Sequence, residues 1–325
     1  MFKILSIDGG GIRGVIPAYL LREIETATGK RIAEQFDLVV GTSTGGIIAI
    51  GLTLANNRGK PKYTAADLLD LYEQQGKLIF ERSFWDGLTD AHGIIDELYD
   101  AKNIEKILKK LTGTARLKDA IKPLVVTAYD LERREPYFFK SIRAGQRPEE
   151  RDHFMWAAAR ATSAAPTYFE PMLLDTSTTG DAVRRALVDG GVFVNNPALC
   201  AYVEAIDLGA RPDDIMIVSL GTGVNTRAIP YQKARDWGYA KWAKPIISVM
   251  MDGAADAADY HLQLLLPERE GKKRYFRFDT QLDKALDDLD AAHWANIEAL
   301  KSEARDILRE QAEDFTRMLG QLNPG

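Results

Sequence analysis

Apolar residues in the first fifty positions fall into two kinds of run. Ile4 to Ile7 has the density of a buried strand and ends on a glycine turn, and Val15 to Ala27 follows with Leu20, Leu21 and Ile24 at helical spacing. Leu38-Val39-Val40 repeats the strand, runs into a second turn of Gly, Ser and Thr, and leads to a helix starting near Gly45. Strand, glycine turn and helix, twice in succession, predict an α/β fold with parallel strands. Further strands are expected at Leu124–Ala128, Pro136–Phe139, Ala186–Val188 and Ile215–Leu220. Helices are expected at Asp67–Lys77, Ile104–Leu111, Asp152–Thr162 and Pro197–Leu208. From Asp287 to Leu319 no glycine or proline interrupts the chain, and Trp294, Ile297, Leu300, Ala304 and Ile307 recur at helical intervals. One long amphipathic helix docked on the sheet is predicted there, its outer face carrying both signs of charge. No repeat, low-complexity tract or long linker divides the sequence, so one domain is expected.

Composition narrows the field. With 46% hydrophobic and 27% charged residues the chain is of the globular class. A net charge of −5 is too weak a field to recruit a nucleic-acid polymer or an anionic membrane by itself. Cys200 is the single cysteine, which excludes an internal disulfide, and His92, His153, His261 and His293 lack metal-ligand spacing, so no metal is expected. The N-terminal apolar run meets Asp8 before it could form a signal-peptide core, and no run nears the roughly 18 apolar residues of a membrane span. A cytoplasmic location is expected.

Three loops carry chemistry. Gly41-Thr42-Ser43-Thr44-Gly45 is a G-x-S-x-G sequence between a predicted strand and a predicted helix, where a sharp turn exposes a nucleophile and the glycines remove clashing side chains. A helix cap of Gly, Ser and Thr would also read this way. Asp8-Gly9-Gly10-Gly11-Ile12-Arg13-Gly14 is far rarer, about 10⁻⁴ occurrences per chain by composition. Its consecutive N–H groups and the following helix N-terminus suit an anion, either a phosphate or the oxyanion of a tetrahedral intermediate. The loop fits G-x-G-x-x-G formally, but Glu34 and Asp37 precede the second strand instead of ending it, which disfavours a dinucleotide site. Arg13 could bond loop carbonyls or meet a lipid phosphate. A serine also needs a base. His92 and His153 read as solvated imidazoles among charged residues, and His261 and His293 fall in predicted helices. Asp189, at the end of an apolar strand and before Gly190 and Gly191, is the better candidate, although Asp-Gly is also an ordinary turn.

These three motifs, in this order, make the chain resemble the patatin-like phospholipases. The resemblance extends through Ala164–Phe169, Ser219–Gly223, Met251-Asp252-Gly253 and Leu286–Asp290. It implies a three-layer α/β/α sandwich with a mainly parallel sheet, formed by a single domain over residues 1–325 with a C-terminal helical extension at about 280–320. It implies hydrolysis of phospholipid acyl esters, without a cofactor, by a Ser-Asp dyad: Ser43 as nucleophile and Asp189 as base. Gly9, Gly10, Gly11 and Arg13 would form the oxyanion loop, with Gly41, Gly45, Gly190 and Gly191 in support. Membrane phospholipid would be the substrate, met by transient peripheral association. The size is also similar to bacterial antiphage effectors of this family, which keeps a cyclic-nucleotide activator and a homo-oligomer open as expectations.

Leu78–Leu88 and Pro245–Met251 are dense in apolar residues and could meet lipid or simply pack. The basic residues Arg133, Arg134, Lys140, Arg143, Arg147 and Arg151 are interleaved with acids and read as a solvated face. Asp8–Gly11 and Gly221–Gly223 could alternatively be the paired phosphate loops of an actin-like ATPase, which would leave the serine turn idle.

Overall fold

The runs of Ile, Leu and Val become strands of one mixed sheet in the computed structural model, which describes residues 1–79, 99–175, 184–242 and 245–323. The strands are β1 (Phe2–Ile7), β2 (Leu38–Gly41), β3 (Leu124–Asp130), β4 (Glu135–Lys140), β5 (Met172–Asp175), β6 (Arg184–Asp189), β7 (Ile215–Leu220) and β8 (Tyr275–Phe278). Parallel pairing runs β8-β7-β1-β2-β3. Antiparallel β4 and β6 join β3, and β5 joins β6. Strand order therefore reverses beside β1, the position where open α/β sheets bind ligands at the strands' C-terminal ends.

The principal helices are α1 (Val15–Thr28), α2 (Thr44–Thr53), α3 (Ala65–Ile79), α4 (Ala101–Thr112), α5 (Met155–Thr162), α6 (Ala198–Asp207), α7 (Pro245–Leu265), α8 (Trp294–Glu310) and α9 (Ala312–Leu322). Side chains of a strand alternate between faces, and both faces here are apolar. Leu5, Ile7, Val39, Val126 and Val218 pack into a core with α1 to α5, α8 and α9. Ile4, Leu38, Val40, Val125 and Ile217 pack with α6 and α7 on the other side. The result is the expected three-layer α/β/α sandwich. All ten residues of α2 are buried, which is why its sequence, TGGIIAIGLT, is apolar all round. Among the described residues no helix is long and apolar enough to cross a membrane.

The C-terminal helix departs from expectation. It begins at Trp294 instead of Asp287, because the His293 ring nitrogen Nδ1 accepts the Asn296 N–H at 3.2 Å as an N-cap. The Asn296 side chain in turn holds Leu286 N–H and Ala291 C=O, fixing residues 286–293 as a loop. His293 is thus a cap and not a helical residue. The helix breaks again at Gln311, whose amide reaches Asp279 O at 2.8 Å. Pattern reading also missed β5 and β8, and set no bounds for α7, whose first turns were noted as an apolar stretch and whose His261 was placed in a helix.

If α8 is a packing helix, its two faces should respond differently. Leu300, fully buried, should lose about 2–5 kcal/mol on change to Ala in urea unfolding. Trp294→Ala, at a side chain 77% exposed, should change stability by less than about 0.5 kcal/mol.

Candidate active site

Two strands converge on the candidate dyad. β4 occupies one edge of β3 from Val125 to Asp130, so β2 and β6 must share the other edge. β2 runs parallel with Gly41 opposite Val126, and β6 runs antiparallel with Asp189 opposite Ala128. Their C-terminal ends therefore meet head to head, with Thr127 alone between the two registers. Ser43, just past the end of β2, donates its hydroxyl to Asp189 Oδ2 at 2.5 Å.

Ser43 has φ 54° and ψ −124°, a conformation that L residues rarely hold, and its N–H donates to Thr162 Oγ1 at 2.8 Å. The neighbouring glycines explain how the turn closes. A Cβ on Gly41 would lie 2.2 Å from Gly45 O, and one on Gly45 would lie 2.2 Å from Ile7 O. A Cβ on Gly190 would lie 2.1 Å from Thr127 Oγ1, so β6 can approach β3 only with glycine after Asp189. These supporting roles for Gly41, Gly45 and Gly190 are steric, and Gly191 adds an N–H that donates to Asp189 Oδ1 at 2.7 Å.

Asp189 is 3% exposed, and burial pushes its carboxyl from 3.8 up to about 7, against the opposing hydrogen bonds from Ser43 and Gly191. No histidine lines the cavity at Ser43 among the described residues. His153, expected to be solvated, is instead buried: it shares a hydrogen bond with Tyr137 Oη at 3.1 Å and packs edge-on to Phe139. Burial, reinforced by Arg116, lowers its pKa to about 4. His92 lies outside the described residues.

The glycine loop sits beside the serine, but its members divide. Gly9 N–H is spent on Asn195 O at 3.1 Å. Arg13, 4% exposed, donates to Gly10 O at 3.3 Å and to Gly223 O at 3.0 Å. The Gly9 N–H and the Arg13 side chain therefore brace the loop, the structural alternative for Arg13, and leave the open N–H groups to other members. Among the described residues the N–H groups of Gly10 and Gly11 donate to no protein acceptor. Gly11 has φ +57° and lines the Ser43 cavity with Thr44, the first residue of α2. Open N–H groups at Gly10 and Gly11, with the N-terminus of α2 alongside, suit a developing oxyanion.

Later segments lock that loop. Thr222 Oγ1 donates to Gly9 O at 2.7 Å, and Leu289 O accepts Ile12 N–H at 2.9 Å. Asp8 pairs with Arg277 at 2.7 Å, and Arg277 with Asp279 at 2.5 Å, whose other oxygen accepts Gly223 N–H. Thr222 lies 2.3 Å from where a Gly10 Cβ would stand. Side chains thus fill the space between the two glycine loops that an actin-like site would reserve for phosphate. Thr162, Arg277 and Asp279 were not singled out from sequence as site residues, since no motif marks them, and Thr222 was noted only as a member of Gly221–Gly223, not as a brace of Gly9.

The Ser43 cavity is apolar, lined by Ile12, Ile47, Ile79, Ile104, Phe169 and Leu289 among others. Tyr168 and Leu289 are shared with a wider outer cavity of about 470 Å³, where Ile247 and Met251 of the second apolar stretch appear. The first stretch, Leu78–Leu88, lies outside the described residues beyond Ile79. Arg143 and Arg147 meet Asp207 and Glu150 on an exposed face, as expected, whereas Lys140 pairs with Glu204, which is buried. Among the described residues no group of three His, Cys, Asp or Glu side chains could hold a metal ion.

The family model for patatin-like phospholipase matches residues 5–202. Patatin group M-1 of Solanum tuberosum is 30% identical over 333 residues, covering 95% of this chain and 84% of its own. Patatin-like protein 2 of Arabidopsis thaliana is 31% identical, covering 95% and 83%. A further Solanum tuberosum relative, 28% identical over 97% of this chain and 88% of its own, is named a probable inactive patatin-3-Kuras 1. The solved structure of VipD from Legionella pneumophila aligns with 95% of this chain and 67% of its own at 10% identity and a TM-score of 0.39, too distant to build on.

A raised carboxyl should leave a thermodynamic trace. Because the folded-state pKa of Asp189 exceeds its unfolded value, the folded protein loses stability as pH rises from about 4 through about 7. Asp189→Asn removes that loss. Its advantage over wild type should grow by on the order of 2 kcal/mol between pH 5 and 8, a few degrees of Tm by calorimetry. A pH-independent difference would mean that the carboxyl is not raised.

Proposed function

The chain belongs to the patatin-like phospholipase family, and on that premise we propose that it hydrolyses fatty-acyl esters of membrane phospholipids, with Ser43 as nucleophile and Asp189 as its base. The observation that carries the reading is the 2.5 Å contact between the Ser43 hydroxyl and Asp189.

In this reading Ser43 Oγ attacks the acyl carbonyl carbon while its proton passes to Asp189 Oδ2. The carbonyl oxygen becomes an anion facing the N–H groups of Gly10 and Gly11, each such donor worth about 3–4 kcal/mol in comparable sites. Collapse breaks the ester bond, and the proton on Asp189 moves to the departing alkoxide of the lysophospholipid. Water then enters, gives its proton to Asp189 and attacks the acyl-serine carbon. The second collapse returns that proton to Ser43 and frees the fatty acid. A carboxyl near pH 7 is well matched to both directions of transfer, because neither accepting nor releasing the proton is strongly uphill. The carbonyl end of the fatty-acyl chain would enter the small apolar cavity of about 50 Å³ beside Ser43, with the rest of the chain in the adjoining outer cavity of about 470 Å³.

Ser43→Ala should lower fatty-acid release from phospholipid vesicles by at least about a thousandfold, and Asp189→Asn by about 10²–10⁴, read by mass spectrometry of the lipid products. Release by Ser43→Ala at the wild-type rate would overturn the assignment. The ligand-gated form of the same enzyme is tested by adding cyclic oligonucleotides to this assay: release only in their presence supports gating, and full release without them removes it.

A further inference from the structure

One segment of the outer cavity's rim is basic, while Asp252, Asp287 and Asp288 line the same opening. Between residues 225 and 242 four basic residues, Arg227, Lys233, Arg235 and Lys241, stand against one acid, Asp236, in a chain whose acids outnumber its bases by 47 to 42. Arg227 is held by Asp287 and Asp288, and Arg235 by its neighbour Asp236. Lys233 and Lys241 are exposed and have no carboxylate partner among the described residues.

Large apolar side chains are exposed on the same rim. Tyr231 is 75% and Tyr239 99% exposed, and Ile246, Val249 and Met250 form one uncovered face of the first turns of α7, at helical spacing. Pro230, Lys233 and Trp237 line the outer cavity together with Pro245, Ile247 and Ser248, so both segments border one opening. Edge-on packing of Trp237 against Trp242, centroids 5.2 Å apart, ties the segment together. Through Tyr168 and Leu289 this opening adjoins the cavity at Ser43.

We propose that residues 229–242 and 245–250 dock the protein on an anionic phospholipid bilayer, with the opening toward Ser43 turned to the lipid. This rests on the hydrolase reading and extends it to the partner surface. Tyrosine and tryptophan rings favour the headgroup level of a bilayer, a partly apolar helix face lies in that interface, and unpaired lysines are attracted to anionic lipid. Charge also selects the occupant: a second copy of the chain in a symmetric contact would bring the same cations against these, whereas anionic lipid neutralises them.

The test combines Tyr239→Ser, Lys241→Glu and Met250→Ser, all exposed positions outside the dyad and glycine loop. Flotation in a Ser43→Ala background measures partition to phosphatidylcholine vesicles with and without phosphatidylglycerol. The proposal expects stronger binding with phosphatidylglycerol, weakened by salt, and at least about a tenfold loss in the triple variant. With Ser43 present, vesicle hydrolysis should fall in proportion while turnover of soluble p-nitrophenyl butyrate stays unchanged. Undiminished partition of the triple variant, equal binding to neutral vesicles, or an altered oligomeric state by light scattering with lipid binding intact would each overturn the proposal. If the triple variant does not fold, Lys241→Glu alone must still reduce the salt dependence of binding. Failure of the hydrolase reading would look different: intact vesicle binding with no release from lipid or soluble ester.

Discussion

The structure is organised around one hydrogen bond, from Ser43 to a carboxylate that has almost no water around it. Two strands of opposite direction share an edge of β3 and stop one residue short of each other, which places their C-terminal ends in contact. A carboxylate at the blind end of a strand loses its hydration, so its charged form is disfavoured and its affinity for a proton rises. In the proposed mechanism this burial supplies what an imidazole supplies in serine hydrolases with a histidine base. His153 is instead a neutral packing residue between Tyr137 and Phe139.

Bringing strand ends so close demands backbone without side chains. Gly41, Gly45 and Gly190 each stand where a Cβ would enter backbone or a neighbouring hydroxyl at about 2 Å. The strained Ser43 backbone is held by Thr162, and the glycine loop by residues from far later in the chain. The family match ends at residue 202, yet Thr222, Arg277, Asp279 and Leu289 complete the loop. The C-terminal third is thereby part of the site's construction as well as of the core. Leu289 lies in the loop that His293 and Asn296 hold ahead of α8, so the late start of that helix leaves a carbonyl free to brace the glycine loop.

Much of this was legible in the sequence, for reasons that can be named. β1, β2, β3 and β7 are short apolar runs buried on both faces, and each glycine turn marks where a strand must stop. β5 and β8 escaped because Met172–Asp175 and Tyr275–Phe278 carry charged residues within four positions. α7 was left without bounds because Ala, Gly and Asp dilute its middle, while packing on α6 and the Tyr275 hydrogen bond to Asp259 come from distant parts of the chain. The Asp8–Gly14 loop was marked from sequence as a place for an anion, but which of its N–H groups remain open depends on Asn195, distant in sequence. Arg13 presented two readings, and the carbonyls of Gly10 and Gly223 decide between them.

Ser43, its apolar cavity, the wider opening beyond and the aromatic, basic rim follow one another from the sheet outward. The innermost element sets the chemistry, so the most direct test is a titration. The Asp189 carboxyl, followed by ¹³C NMR, should titrate with a midpoint near 7, and kcat/KM for a soluble ester should rise with pH through that same midpoint. An Asp189 midpoint in the ordinary carboxylate range near 4, or a rate profile that ignores the midpoint observed, would contradict the account.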